Sequence, residues 1–199
     1  MRNQHVTTAT QTQIQQTHQH TETTGSTLWL TGLPSAGKTT LALALGDRLR
    51  EAGRDVEILD GDEIRTYLSA GLGFSREDRD THVRRIGFVA ELLARHGVIV
   101  LVPVIAPYQD TRAEVRARHA EQGTSYLEVH LSTPLDVCAR RDVKGLYARA
   151  ARGDLRHMTG VDDPYEIPQA PDLRLDTSTN DLSASVNALA DLLAARGLL

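Results

Sequence analysis

Between Gly32 and Thr40 the chain reads GLPSAGKTT. A glycine, four residues and then Gly-Lys-Thr is the spacing of a phosphate-binding P-loop, met here by Gly32, Gly37, Lys38 and Thr39. Glycine lets the backbone curl so that successive N–H groups face phosphate oxygens, and the following helix presents its positive N-terminus to the same anion. In such a loop the lysine reaches the β- and γ-phosphates and the threonine hydroxyl ligates Mg²⁺. ATP with Mg²⁺ is therefore the expected ligand, held by Gly32, Ser35, Ala36, Gly37, Lys38, Thr39 and Thr40. The flanks agree. Thr27 to Thr31 reads as a buried strand, and Leu41, Leu45 and Leu49 form one stripe of a helix over 39–49.

Lysine is scarce outside this loop. Only Lys38 and Lys144 stand among the 22 Lys and Arg residues. A compact ammonium and a planar guanidinium are not interchangeable, so in an arginine-rich chain each retained lysine marks a place with a specific demand. Lys144 lies in RDVKGLYARA and is followed by Arg149, Arg152 and Arg156. That basic segment is suited to act as a lid that neutralises charge on a transferred phosphoryl group.

At 199 residues the chain has the length of one domain with a full core. A formal charge of −4 gives no electrostatic case for nucleic acid or an anionic membrane as partner. The longest apolar run, Val98 to Ala106, is too short to span a bilayer and holds Pro103. The N-terminus shows no apolar targeting segment, and a single cysteine, Cys138, leaves no internal disulfide and suits a reducing cytoplasm. Residues 1–26 are rich in Thr, Gln and His, so a disordered extension is expected there; His5, His18 and His20 lack the spacing of a metal site.

From Thr27 to Leu199 one α/β domain is expected. Strands are read at 27–31, 56–59, 98–104, 126–131 and 173–175. Ser75 marks the start of a long helix from Arg76 to about His96, ended by Gly97. Thr133 reads as the cap of another helix, with Pro134 at its first position. Alternating strands and helices imply a mostly parallel sheet flanked by helices, a P-loop nucleoside triphosphate hydrolase-type fold with ligands at the carboxyl strand ends.

The second strand delivers Asp60-Gly61-Asp62 to that edge. Two carboxylates separated by one glycine suit phosphoryl transfer, one holding a Mg²⁺-bound water and the other accepting the proton of an attacking hydroxyl. The plainer reading is an Asx turn that caps the next helix. Arg65, Arg79, Arg84 and Arg85 supply guanidinium groups suited to an anionic acceptor, or else a solvated helix face.

Taken in order, GLPSAGKTT, LDGDEIR, GLGFSREDRD, VRRIG, IAPY, RDVKGLYARA and MTGVDDPYE resemble the motifs of adenylylsulfate kinases from about Thr27 to the C-terminus. The resemblance implies transfer of the ATP γ-phosphate to the ribose 3′-hydroxyl of adenosine 5′-phosphosulfate, with Mg²⁺, in a homodimer. It implies Asp62 as the base and Asp60 as a group that orders the metal through water. By the same resemblance Arg65 and Arg79 hold the phosphosulfate, Phe74 stacks on adenine, Ile105 contacts the acceptor and Lys144 bridges the phosphates. The chain departs from the family's common pattern at His82, Ala106 and Met158, where Asn, Ser and Phe are usual; all three belong to the implied acceptor site. Two alternatives stay open: a related P-loop kinase with a different nucleotide-like acceptor, and a nucleotide-binding regulator without catalysis.

Overall fold

Five apolar runs become strands β1 (Ser26–Gly32), β2 (Val56–Ile58), β3 (Ile99–Pro103), β4 (Ser125–Leu131) and β5 (Leu173–Leu175) in the computed structural model, which describes residues 25–199. All pair in parallel in the order β2-β3-β1-β4-β5. Every described carboxyl strand end therefore meets one edge of the sheet, with β1 at its centre.

Seven helices link or follow these strands among the described residues: α1 (Lys38–Glu51), α2 (Gly61–Tyr67), α3 (Arg76–Arg95), α4 (Gln109–Glu121), α5 (Leu135–Arg141), α6 (Leu146–Ala151) and α7 (Leu182–Ala195). Strand periodicity decides which face each residue serves. Leu28 and Leu30 of β1 join Leu41, Leu45, Leu189 and Leu193 from α1 and α7 in one core. Trp29, between them, joins Val83, Ile86 and Ala90 of α3 on the opposite face. Burial on both faces explains why β1 reads as an unbroken buried run rather than an alternation. On the second face α3 and α4 approach closely at Gly87, where a Cβ would lie 2.6 Å from Val115 Cγ2. Any larger residue there would force the two helices apart.

The sequence expectations hold for the element order, with local corrections. Strands β2 and β3 are shorter than read, ending at Ile58 and Pro103. Ser26 belongs to β1 rather than to the N-terminal extension, whose other residues up to 24 lie outside the described residues, as do His5, His18 and His20. Ser75 caps α3 as expected, its Oγ accepting from Asp78 N at 3.2 Å. Pro134, not Thr133, occupies the cap of α5. Thr133 Oγ1 is engaged elsewhere, 2.9 Å from Thr177 Oγ1 beyond β5, so the cross-sheet contact outcompetes the local cap.

Candidate functional site

A cleft of about 470 Å³ opens at the carboxyl edge of the sheet, lined from the P-loop, the start of α2, the turn after β3, the α5–α6 connection and the start of α7. Gly37 caps α1 with φ 94°, a left-handed conformation that favours glycine, and so turns the P-loop into the helix N-terminus. Lys38 Nζ donates to the carbonyls of Gly32 at 2.9 Å and Leu33 at 2.8 Å. Burial lowers its pKa to about 8, so the ammonium is charged at neutral pH yet poorly compensated by its surroundings. An anionic phosphate would supply the missing charge. Ser35, Thr39 and Thr40 line the cleft with them, whereas Ala36 is fully buried and Gly32 contributes its backbone behind the loop.

The Asp60-Gly61-Asp62 turn caps the next helix, as the plainer reading expects, and also brings both carboxylates to the cleft. Asp60 Oδ1 accepts from Asp62 N at 2.9 Å and caps α2. Its Oδ2 accepts from Thr39 Oγ1 at 2.8 Å, which joins the turn after β2 to the first turn of α1. Asp62 does not cap; its carboxylate pairs with Lys144 across the cleft mouth. Lys144 is positioned by the turn between α5 and α6. There the Asp142 carboxylate accepts from Tyr147 N at 3.0 Å and Ala148 N at 2.9 Å, and Tyr147 OH donates to Pro34 O at 3.0 Å. The turn that carries Lys144 is thus tied to the P-loop itself. Of the arginines that follow, Arg152 pairs with Asp154, and none of Arg149, Arg152 and Arg156 lines the cleft.

Deeper along α2 and α3 lie Arg65, Phe74, Arg79 and His82. Two guanidinium groups approach the Phe74 ring, that of Arg65 at 4.8 Å and that of Arg79 at 5.5 Å from its centroid, and the residue remains 55% exposed. Arg65 also donates to Gly73 O at 2.8 Å. Arg79 is buried and donates to Phe74 O at 2.9 Å and His157 O at 2.5 Å, with Asp163 3.6 Å away. His82 Nδ1 lies 2.9 Å from Ser69 Oγ. Burial first, then the nearby Arg65 charge, push its pKa down to about 4, so the ring is neutral at physiological pH.

Ile105 joins this lining, but Ala106 and Met158 do not. Ala106 turns away in a left-handed conformation, φ 43°. Met158 is packed into the α1/α7 core, its backbone N donating to Asp162 Oδ1 at 2.6 Å. Arg84 and Arg85 also stand outside the cleft; Arg84 pairs with Glu114 and Arg85 donates to Leu68 O. Sequence reasoning missed Arg141, Thr177, Asn180 and Leu182, which line the cleft beside the P-loop. Thr177 donates to Ala36 O at 3.0 Å and accepts from Arg141 Nη1 at 2.7 Å. Its signal was available: Thr177 stands two places beyond β5, and ligands gather at such strand ends.

No group of three or more His, Cys, Asp or Glu side chains suited to a metal occurs among the described residues. The Thr39 hydroxyl and Asp60 carboxylate form an oxygen pair of the kind Mg²⁺ accepts when substrate phosphates and water complete its shell.

Comparison with known proteins agrees with this geometry. The sequence model of the Adenylylsulphate kinase family matches residues 24–176. The adenylyl-sulfate kinase of Chloroflexus aurantiacus is 58% identical over 175 residues, 88% of this chain and 90% of that protein. Among solved structures, the APS kinase of Mycobacterium tuberculosis in complex with AMPPNP and APS superposes with a TM-score of 0.83. It has 45% identity and covers 85% of this chain and 98% of that one. A hexameric APS kinase from Thiobacillus denitrificans, 38% identical with a TM-score of 0.68, matches over 89% of this chain and 30% of that one.

Proposed function

The chain belongs to the adenylylsulphate kinase family, and on that premise we propose that it transfers the γ-phosphate of ATP to the ribose 3′-hydroxyl of adenosine 5′-phosphosulfate. The products are ADP and 3′-phosphoadenosine 5′-phosphosulfate. The observation that carries the reading is the convergence of Lys38, Asp60, Asp62 and Lys144 from three separate segments on one cleft.

Each group has a chemical part. The P-loop amides and Lys38 bind the β- and γ-phosphates, with charge supplied at a half-buried ammonium. Thr39 and Asp60, the latter through water, would hold Mg²⁺, which when bound draws charge from the phosphate oxygens. Arg65 and Arg79 offer guanidinium charge to the phosphosulfate beside the exposed ring of Phe74, which stacks on the adenine. Ile105 lines the same acceptor side, and His82, neutral near pH 7, bounds it with a ring that can accept or donate a hydrogen bond.

Asp62 takes the proton from the 3′-hydroxyl as that oxygen attacks the γ-phosphorus. The bond from γ-phosphorus to the bridging oxygen breaks, and the electron pair leaves on ADP. Lys144, already opposite Asp62, moves its charge onto the phosphoryl group between donor and acceptor. Ala106 and Met158, held behind the lining, bear on the acceptor only through their neighbours. We assign the active form as a homodimer by family resemblance, and the cytoplasm as its place because its one cysteine, Cys138, is free and buried. No described helix is long and apolar enough to cross a membrane.

The test is ADP release from MgATP with and without adenosine 5′-phosphosulfate, followed by chromatographic identification of the product. Acceptor-dependent ADP and a 3′-phosphorylated product are expected. ATP binding without that product would remove the assignment of the acceptor.

A further inference from the structure

Ile105 lines the cleft, yet β3 ends two residues earlier at Pro103, so no strand pairing holds its peptide. The next residue, Ala106, has φ 43°, a left-handed conformation that is unfavourable for an L-residue and persists only where surroundings impose it. Two buried side chains impose it here. Thr31 Oγ1 donates to Ile105 O at 2.5 Å, and Arg112 Nη1 donates to Ala106 O at 2.7 Å.

Arg112 is 1% exposed, and its other contacts show what it is fixing. Nη2 donates to Gln109 Oε1 and to Glu166 O, each at 2.7 Å. Nε stands 2.8 Å from Glu128 Oε1 as an ion pair, without the alignment of a hydrogen bond. Tyr165, the neighbour of Glu166, places its OH 3.0 Å from Thr31 Oγ1. A closed circuit of contacts therefore runs around the Ile105–Ala106 peptide, from Thr31 through Tyr165 and Glu166 to Arg112. A residue needed only to balance the Glu128 charge has no reason to reach two carbonyls from different loops; the planar guanidinium does so with both Nη atoms. Arg112, Thr31 and Tyr165 all lie outside the cleft lining.

We infer that Arg112 is a positioning residue for the acceptor, holding the Ile105–Ala106 turn in the shape that presents Ile105 to adenosine 5′-phosphosulfate while touching neither nucleotide. The inference rests on the acceptor proposed above. It places an acceptor-specific effect at a residue behind the site, on α4.

Arg112→Lys keeps a positive charge opposite Glu128 but cannot bridge the Ala106 and Glu166 carbonyls. Tyr165→Phe removes only the hydroxyl that touches Thr31. Steady-state kinetics with each substrate varied in turn, alongside thermal unfolding, separate positioning from stability. The expected result is an acceptor KM raised about tenfold in Arg112→Lys and about threefold in Tyr165→Phe, with the KM for ATP within about twofold of wild type. An unchanged acceptor KM in both variants overturns the inference. So does an equal rise in both KM values that tracks a lowered unfolding temperature, which is the signature of a merely structural role. If Arg112→Lys does not fold, Tyr165→Phe decides: a raised acceptor KM supports the inference and an unchanged one overturns it. Wild type without acceptor-dependent turnover overturns the acceptor assignment and this inference together, whereas normal wild type with unaltered variants overturns this inference alone.

Discussion

The two ends of the cleft are built differently. The phosphate end comes from one stretch, Gly32 to Thr40, with Lys38 half-buried against its own loop and Thr177 closing over Ala36 O. The acceptor end is assembled from α2, α3, the turn after β3 and the α5–α6 turn, and its central contact joins Asp62 and Lys144, side chains 72% and 58% exposed. An exposed ion pair contributes only about 0–1 kcal/mol, so a ligand displaces it at little cost. A half-buried ammonium held by two carbonyls is a fixed socket by contrast. One end is preformed, whereas the other holds at its mouth an exposed Asp62–Lys144 pair that a ligand can displace.

The largest break in this contrast comes at Lys38. Lys38→Ala is expected to lower kcat roughly 10²–10³-fold and to weaken ATP binding, read by steady-state kinetics and calorimetric titration. Because burial lowers the Lys38 pKa to about 8, wild-type affinity for ATP is also expected to fall as pH rises through 8 and the ammonium is lost. A flat affinity from pH 7 to 9 would remove Lys38 from phosphate binding.

At the other end a smaller, more selective loss is expected. Lys144→Ala should lower kcat by about 10–100-fold while the dissociation constant of ATP stays within about twofold, because Lys144 pairs with Asp62 and not with the P-loop. An ATP affinity that collapses as in Lys38→Ala would mean that the two ends are one.

The smallest effect concerns stability. His82 has a folded pKa of about 4 against an ordinary 6.5, so between these values the unfolded chain binds a proton that the folded chain refuses. Stability contributed by the neutral ring is therefore present above pH 6.5 and is lost as pH falls toward 4. His82→Asn is expected to lose about 1–2 kcal/mol less than wild type between pH 6.5 and 4.5 in urea unfolding. Equal losses would place the acid sensitivity at other buried histidines, of which His130 also titrates at about 4.

The same division governs what the sequence made legible. The P-loop could be read directly because its geometry depends on neighbours within nine positions, and the positions of the strands along the chain followed from apolar runs such as Leu28 to Leu30. Thr177 left a weaker signal, its place two residues beyond β5, because its hydrogen bond to Ala36 spans 141 positions. Pro134 was misplaced by one step because a partner beyond β5 claims the Thr133 hydroxyl. Asp60 was ambiguous for a physical reason: capping α2 occupies only one carboxylate oxygen and leaves the other to meet Thr39 at the cleft. The burial of Ala106 and Met158 behind the lining is a matter of packing that spacing alone does not encode.

The most direct test of a preformed phosphate end beside a separate reacting end is Asp62→Asn. This change keeps the side-chain shape but removes the charge that pairs with Lys144 and the carboxylate proposed as the proton acceptor. Single-turnover transfer and ATP affinity would be measured on the same preparation. Transfer to adenosine 5′-phosphosulfate is expected to fall by roughly 10²–10⁴-fold while the dissociation constant of ATP changes less than about twofold. Transfer at the wild-type rate, or a loss explained wholly by weaker ATP binding, would contradict the assignment of Asp62 as the base.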